Sequence, residues 1–237
     1  HFKITAGGRW FDYERKFAQI QEQPEGRQTL DSNQKTKESG TVKKLNLTSR
    51  FDPDRLVYAT YSQGFRVGGS NPLKPQSGLP KNYRSDVLDN YELGAKTEWL
   101  NHRLRLNVSV YSMKWQDFAV QIEDPLPFFQ LGFVNLPSAV IKGLEAEFAI
   151  TASDQWQLDG SFSRNDARTD GASTLSVVDK ETGKTFSFAV VDGARLPLTP
   201  NWNASLGLEY RPHVSLWSGK PYARFDSSYV GESVNQL

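Results

Sequence analysis

The stretch "NYELGAKTEWLNHRLRLNVSVYS" (residues 90–112) decides the fold, because its apolar character switches on and off at every second residue. Tyr91, Leu93, Ala95, Thr97 and Trp99 share one parity, while Glu92, Gly94, Lys96 and Glu98 hold the other. After a polar break at Asn101 and His102 the pattern resumes, with Leu104, Leu106, Val108 and Val110 against Arg105, Asn107, Ser109 and Tyr111. A period of two marks strands with one apolar face, and the short break joins them as a hairpin.

The same alternation recurs in segments of roughly ten residues, the strand length of a membrane β-barrel. In "HFKITAGGRW" (1–10), Phe2, Ile4, Ala6 and Trp10 oppose Lys3, Thr5 and Arg9. In "KLNLTSRF" (44–51), Leu45, Leu47 and Phe51 oppose Lys44, Asn46, Thr48 and Arg50. "LVYATYSQGF" (56–65) has mixed parity, and its facing is open. "AVIKGLEAEFAI" (139–150) sets Leu144, Ala146, Phe148 and Ile150 against Glu145 and Glu147, and "WQLDGSFS" (156–163) sets Trp156, Leu158 and Phe162 against Gln157, Asp159 and Ser161. "NASLGLEY" and "YARFDSSY" repeat the scheme, which predicts about nine strands.

Brief turns at Asp52–Arg55, Asn101–Arg103, Ser153–Gln155 and Pro212–Gly219 alternate with long polar stretches at 19–40, 66–86, 117–132 and 165–196. Nothing in a soluble meander sorts long and short connections to opposite ends, whereas outer-membrane barrels have short periplasmic turns and long extracellular loops. Trp10, Trp99, Trp156, Trp202, Tyr58, Tyr91, Tyr210 and Tyr229 fall near predicted strand ends, where amphipathic rings form an interfacial girdle. The predicted fold is all-β: an antiparallel up-and-down transmembrane β-barrel.

Composition agrees with this reading without naming a ligand. The 237 residues carry a formal net charge of +1, so no nucleic acid partner is expected. Mean hydropathy of −0.57 suits a barrel, since only its outward parity and not its inner wall or loops need be apolar. No run of about 18 apolar residues offers a spanning helix. With no cysteine there is neither a disulfide nor a thiol ligand.

"YATYSQGFRVGG" (58–69), "DNYELGAKTEWLNHRLRLNVSVYSMKWQDFAVQ" (89–121), "NLPSAVIKGLEAEF" (135–148) and "LPLTPNWNASLGLEY" (196–210) resemble, in order, blocks from the C-terminal part of the β-barrel of TonB-dependent outer-membrane receptors. The resemblance runs from about Phe2 to Tyr229. It implies that 1–237 is a partial barrel domain from an architecture of about 22 strands with a plugged lumen. Because the chain opens on His1 and stops at "SVNQL", an upstream plug with a TonB-contacting segment and further C-terminal strands are expected outside it. The implied function is active uptake of a scarce solute, most readily a ferric siderophore. The implied partners are the TonB–ExbB–ExbD system acting through the plug, outer-membrane lipid, and a small ligand such as a metal chelate. Vitamin B12, haem and oligosaccharides fit the same family.

The outer loops are where ligand contact is expected. Phe65, Arg66, Asn71, Lys74 and Tyr83 lie in one, Phe128, Phe129 and Gln130 in a second, and Arg168 and Lys184 in a third. Aromatic and cationic groups over a funnel suit an anionic metal chelate through stacking and charge. Glu92, Lys96, Glu98, Arg105, Glu145 and Glu147 are expected to face the lumen as a solvated ion-pair lattice. Glu145 and Glu147, roughly 7 Å apart by strand rise, approach the spacing of a glycosidase pair, yet alternating carboxylates are what a wet wall carries anyway. His1, His102 and His213 each stand alone in sequence, so no metal site, catalytic residue or cofactor is expected. "VGGSNP" (67–72) reads as a loop rather than an anion-binding nest. Three other readings remain open: a passive porin, an outer-membrane barrel enzyme, and a soluble β-sandwich binding module whose apolar face packs on a second sheet.

Overall fold

The computed structural model describes residues 1–23, 26–71, 78–123, 131–178, 182–215, 217 and 219–235, with backbone alone for 18–23, 26–34 and Glu123. The strands are β1 (Phe2–Gln23), β2 (Gly26–Asp52), β3 (Arg55–Arg66), β4 (Gly69–Ser70), β5 (Asn82–Tyr83), β6 (Asp86–Trp99), β7 (Leu104–Gln116) and β8 (Ala119–Glu123). They continue as β9 (Leu131–Asn135), β10 (Ser138–Thr151), β11 (Trp156–Thr169), β12 (Ser173–Val178), β13 (Thr185–Val190), β14 (Trp202–Tyr210) and β15 (Ala223–Val230). No helix among the described residues is long and apolar enough to cross a membrane.

All nine predicted segments are strands of one antiparallel sheet, in the order β1-β2-β3-β6-β7-β10-β11-β14-β15. The meander has β1 and β15 at its edges. Its short turns fall where the polar breaks fall. At the first, Asp52 Oδ1 accepts the Asp54 N–H at 3.0 Å. At the second, Leu100, Asn101 and His102 all take left-handed backbone, at φ of 56°, 55° and 62°. At the third, Ser153 Oγ accepts the N–H groups of Gln155 and Trp156 at 3.2 Å each.

Register carries one parity across the whole sheet. Ile4 pairs with Leu47, Leu47 with Ala59, Ala59 with Leu93, Leu93 with Val110 and Val110 with Leu144. Farther on, Ala146 pairs with Phe162, Phe162 with Ala204 and Ala204 with Tyr229. Directly paired residues share a face. The open facing of β3 is thereby settled: Val57, Ala59 and Tyr61 lie on the apolar face, while Tyr58 and Thr60 lie on the polar one.

The apolar face is bare, with Trp10 68% and Phe225 62% exposed. Its aromatics form two belts. Trp99, Trp156 and Tyr210 sit at the short-turn end, with Trp156 and Tyr210 rings 4.4 Å apart. Trp10, Tyr61, Tyr91, Trp202 and Tyr229 sit toward the other end, Tyr61 lying 5.0 Å from Tyr91 and Trp202 stacking on Tyr229 at 4.2 Å. Eight residues separate Tyr91 from Trp99, about 26 Å along the strand. Tyr58 departs from the expected girdle. It points to the polar face, where its ring covers Gly94, a position with no room for a Cβ.

Three of the four long stretches predicted as loops contain short hairpins: β4 with β5, β8 with β9, and β12 with β13. The fourth, 19–40, is corrected outright, because β1 and β2 stay paired out to Gln23 and Gly26.

If hydrocarbon covers the apolar face, Val108→Arg at mid-belt destabilises the complete barrel by about 2–4 kcal/mol, while Ser109→Arg on the polar face changes stability by under about 0.5 kcal/mol. Denaturant titration of the full-length protein in bilayers measures both.

Candidate functional site

The buried core of this chain lies above the sheet, among the long connections. Phe118, Leu136, Ala139, Ala167 and Leu196 form one cluster, with Trp115 and Ile141 packed against it. Leu79, Val134 and Val177 form another, lined by Val120, Ile122 and Leu175. The hairpins after β3, β7 and β11 thus pack on one another as a layer over the long-connection end.

Asn71 is the pin of that layer, with 0% of its surface exposed. Its Nδ2 donates to the carbonyls of Pro80 at 2.8 Å and Phe133 at 2.7 Å, and its Oδ1 accepts the Phe133 N–H at 2.7 Å. Its own N–H goes to the Lys81 carbonyl at 2.8 Å. Tyr83 lies 4.9 Å from Phe133. "VGGSNP" spends its donors on protein, the Gly68 N–H reaching Tyr13 Oη at 2.9 Å.

Arg66 is equally committed. Its Nε donates to both Asp86 oxygens at 3.0 and 3.1 Å, and its Nη2 to the Ala119 carbonyl at 2.9 Å. Its guanidinium lies 4.4 Å over the Trp115 ring. Asp86 is 1% exposed, while the Arg66 side chain keeps 53%. A buried carboxylate needs such a partner. Phe65 stacks on Phe11 at 3.8 Å. Tyr13 donates to Glu38, whose carboxylate also accepts the Ser85 N–H at 3.1 Å. Burial and the Glu38 carboxylate push the Tyr13 phenol up to about 12. Burial raises Glu38, but the bonds from Ser85 and Tyr13 outweigh it and hold the carboxyl below its ordinary value.

Of the other expected loop residues, Lys74, Phe128, Phe129 and Gln130 lie outside the described residues. Lys184 sits 5.7 Å from the Phe186 ring. Arg168 lies on β11, opposite Val140, and so carries the parity of the apolar face rather than overhanging the polar one.

Register puts Glu92, Lys96, Glu98, Arg105, Glu145 and Glu147 all on the polar face. Glu92, Lys96, Glu145 and Glu147 line one shallow depression of about 170 Å³ with Tyr58, whose hydroxyl donates to Glu92 at 2.5 Å. Arg105 Nε lies 3.8 Å from Glu98 Oε1. A second lattice spans β11, β14 and β15. There Arg224 forks onto Asp159 at 3.0 and 3.1 Å, bonds Asp226 at 2.9 Å, and lies 3.7 Å from Glu209. Gly207, between the paired Asp159 and Asp226, leaves the space this fork fills. The sequence signal for this lattice was alternation alone, which cannot say which strands are neighbours.

His102 is not alone in space. Its Nδ1 lies 2.6 Å from Glu98 Oε2 and 3.7 Å from Asp54 Oδ1, at the short-turn end. The three offer ligand atoms within 4.8 Å of one another, a geometry open to a divalent cation. The Glu98 hydrogen bond and the Asp54 charge raise the His102 pKa above its ordinary value.

Two outcomes follow for the layer. Asn71→Ala orphans buried backbone groups and lowers local stability by about 2 kcal/mol, read as faster hydrogen exchange at Phe133. Glu38, depressed on folding, contributes stability that is present above the ordinary carboxylate range. That contribution is lost as pH falls through its folded value, so the protection factor of the Ser85 amide, the exchange rate corrected for its intrinsic pH dependence, falls on acidification.

The comparisons with known proteins fit this geometry. The family described as "TonB dependent receptor-like, beta-barrel" matches residues 1–237. The probable TonB-dependent siderophore receptor PiuA of Acinetobacter baumannii is 21% identical over 174 residues, covering 70% of this chain and 22% of that protein. The crystal structure of PiuA superposes with a TM-score of 0.62 at 18% identity, over 88% of this chain and 28% of that one. The ferric yersiniabactin uptake receptor FyuA of Yersinia pestis gives 0.69 at 18% identity, over 97% and 32%. The copper transporter OprC gives 0.63 at 15% identity, over 90% and 30%. At such identities the structural likeness is one of fold, and the chain spans under a third of each of these proteins. The match over the full length, on a nine-stranded sheet with one apolar and one ionic face, places this chain in the TonB-dependent receptor-like β-barrel family.

Proposed function

We propose that this chain is barrel wall and cell-surface loop layer of a receptor in a Gram-negative outer membrane that takes up a ferric siderophore with energy from TonB–ExbB–ExbD. The observation that carries the reading is the division of the wall: a belt bounded by aromatics on one face, an ion-pair lattice on the other, and a packed layer over the long-connection end only. Such a wall suits lipid outside, a wet lumen or plug inside, and capture at one end.

Ligand contact is assigned to the long-connection layer, through Phe65, Arg66, Lys74 and Tyr83 from the first loop and Phe128, Phe129 and Gln130 from the second. Asn71 acts from beneath, by holding Pro80 and Phe133 in place. Arg66, anchored by Asp86, presents a preset half-exposed guanidinium to an anionic chelate. Glu92, Lys96, Glu98, Arg105, Glu145 and Glu147 are assigned to the lumen wall. The reading gives the chain no bond-changing chemistry. The fold is shared with a copper transporter, so loop chemistry rather than the wall must select the solute.

Deleting the complete gene and supplying single iron sources under iron limitation tests this. Growth on at least one ferric siderophore should be lost and be restored by the gene only when TonB is present; growth unchanged on every siderophore contradicts it. In the complete receptor, Arg66→Ala combined with Phe129→Ala should weaken binding of that siderophore about tenfold.

A further inference from the structure

Three arginines converge at the outer end of the apolar belt, where a lipid-facing wall has least use for charge. Arg164 pairs with Leu144 on one side and Trp202 on the other, and Arg168 pairs with Val140, so both lie on the apolar face. Arg195 forms an antiparallel bridge opposite Arg168 and shares that face. With Asp166, Phe162 and Trp202 they line a depression of about 590 Å³. Its apolar side continues into the belt, the Phe162 and Trp202 rings lying 6.4 Å apart and Trp202 stacking on Tyr229.

Among the described residues these charges do not cancel. Arg168 is answered by Asp166 at 2.7 Å and donates to the Gly193 carbonyl at 3.0 Å. Arg195 donates to the Glu232 carbonyl at 3.4 Å and makes no ion pair among the described residues. Arg164 has no ion pair among the described residues, and neither has Lys142, which pairs across from Asp166 on the same face. Within the depression three guanidinium groups therefore meet one carboxylate. Single snorkelling arginines need no partner, but convergent ones repel unless an anion sits between them. Guanidinium forks match phosphate oxygens, and an apolar, aromatic floor matches acyl chains.

We propose that this depression binds the phosphorylated headgroup of an outer-leaflet glycolipid, its phosphate held by Arg164 and Arg195 and its acyl chains laid down the belt past Phe162 and Trp202. The proposal rests on the outer-membrane placement given above. It needs only β10, β11, β14 and the connection before β14, all within this chain.

The test uses the complete receptor in detergent, titrated by native mass spectrometry with diphosphorylated lipid A, with its dephosphorylated form, and with inorganic phosphate. The diphosphorylated lipid should bind at least about tenfold more tightly than either alternative, the scale of one charge-assisted hydrogen bond. Arg164→Ala with Arg195→Ala should remove about that factor, while Arg55→Ala, an apolar-face arginine at the opposite rim, should remove none. Heat-modifiable gel mobility confirms folding; should the double variant fail to fold, Arg164→Gln alone is read in its place with the same expected direction. Equal binding by the variant, equal binding of the dephosphorylated lipid, or inorganic phosphate bound as tightly as the lipid each overturns the proposal. Iron uptake is a separate readout, so failure here with uptake intact leaves the transport reading standing, and the reverse also holds.

Discussion

Hydrocarbon offers backbone amides no hydrogen-bond partner, and on the outer-membrane placement proposed above this constraint shapes the rest of the molecule. Every N–H and C=O within the belt must find its mate on a neighbouring strand, so the chain is drawn into one continuous antiparallel ladder. Side chains then have only two directions to choose from. Ile4, Leu47, Leu93, Val110, Leu144 and Phe148 take one, and Glu92, Lys96, Arg105, Glu145 and Glu147 take the other. A slip of a single residue would reverse both sets at once, which is why the register is so strongly specified.

The two ends of the sheet obey different rules because they leave that solvent. At the short-turn end, local bonds suffice: Asp52 and Ser153 close their own turns, and three successive left-handed residues, Leu100, Asn101 and His102, close the one between them. At the other end the connections are long enough to build a water-excluded layer of their own. There Asn71, Asp86, Arg66 and the Tyr13–Glu38–Ser85 bonds tie separate hairpins together. Stability of the wall comes from strand pairing and, in the proposed setting, from lipid. Stability of the layer comes from burial of Phe118, Val134, Leu136 and Val177 and from satisfied polar groups.

This division explains what was legible in the sequence. Within the belt, solvent enforces alternation, so all nine strands and most of their facings could be read from residues such as Leu104, Leu106, Val108 and Val110. Beyond it nothing requires an apolar face. The run 31–40 is polar on both parities, so it reads as a loop although its backbone pairs with β1 from Gln34 onward. The alternation in "AVQIE" and "LGFVN" was present but spans only five residues each, too short to separate from a polar loop. Partner identity was illegible throughout. That Arg224 meets Asp159, 65 positions away, or that Asp54 and Glu98 close on His102, depends on strand adjacency and twist. Asn71 sat in a Gly/Asn/Pro run whose composition signals a turn and says nothing of burial. A polar stretch beginning at Asn165 predicts Arg168 over the funnel, whereas β11 continues to Thr169 and its parity puts Arg168 on the apolar face.

The central claim is that lipid, and not a second protein layer, covers the apolar face. Spin labels placed one at a time along β7, from Arg105 to Tyr111, in the complete receptor in bilayers would test it most directly. The account predicts that labels at 106, 108 and 110 collide with oxygen and are shielded from a water-soluble nickel chelate, with the order reversed at 105, 107 and 109. Labels at 106, 108 and 110 shielded from both reagents, as in a sandwich interior, would contradict it.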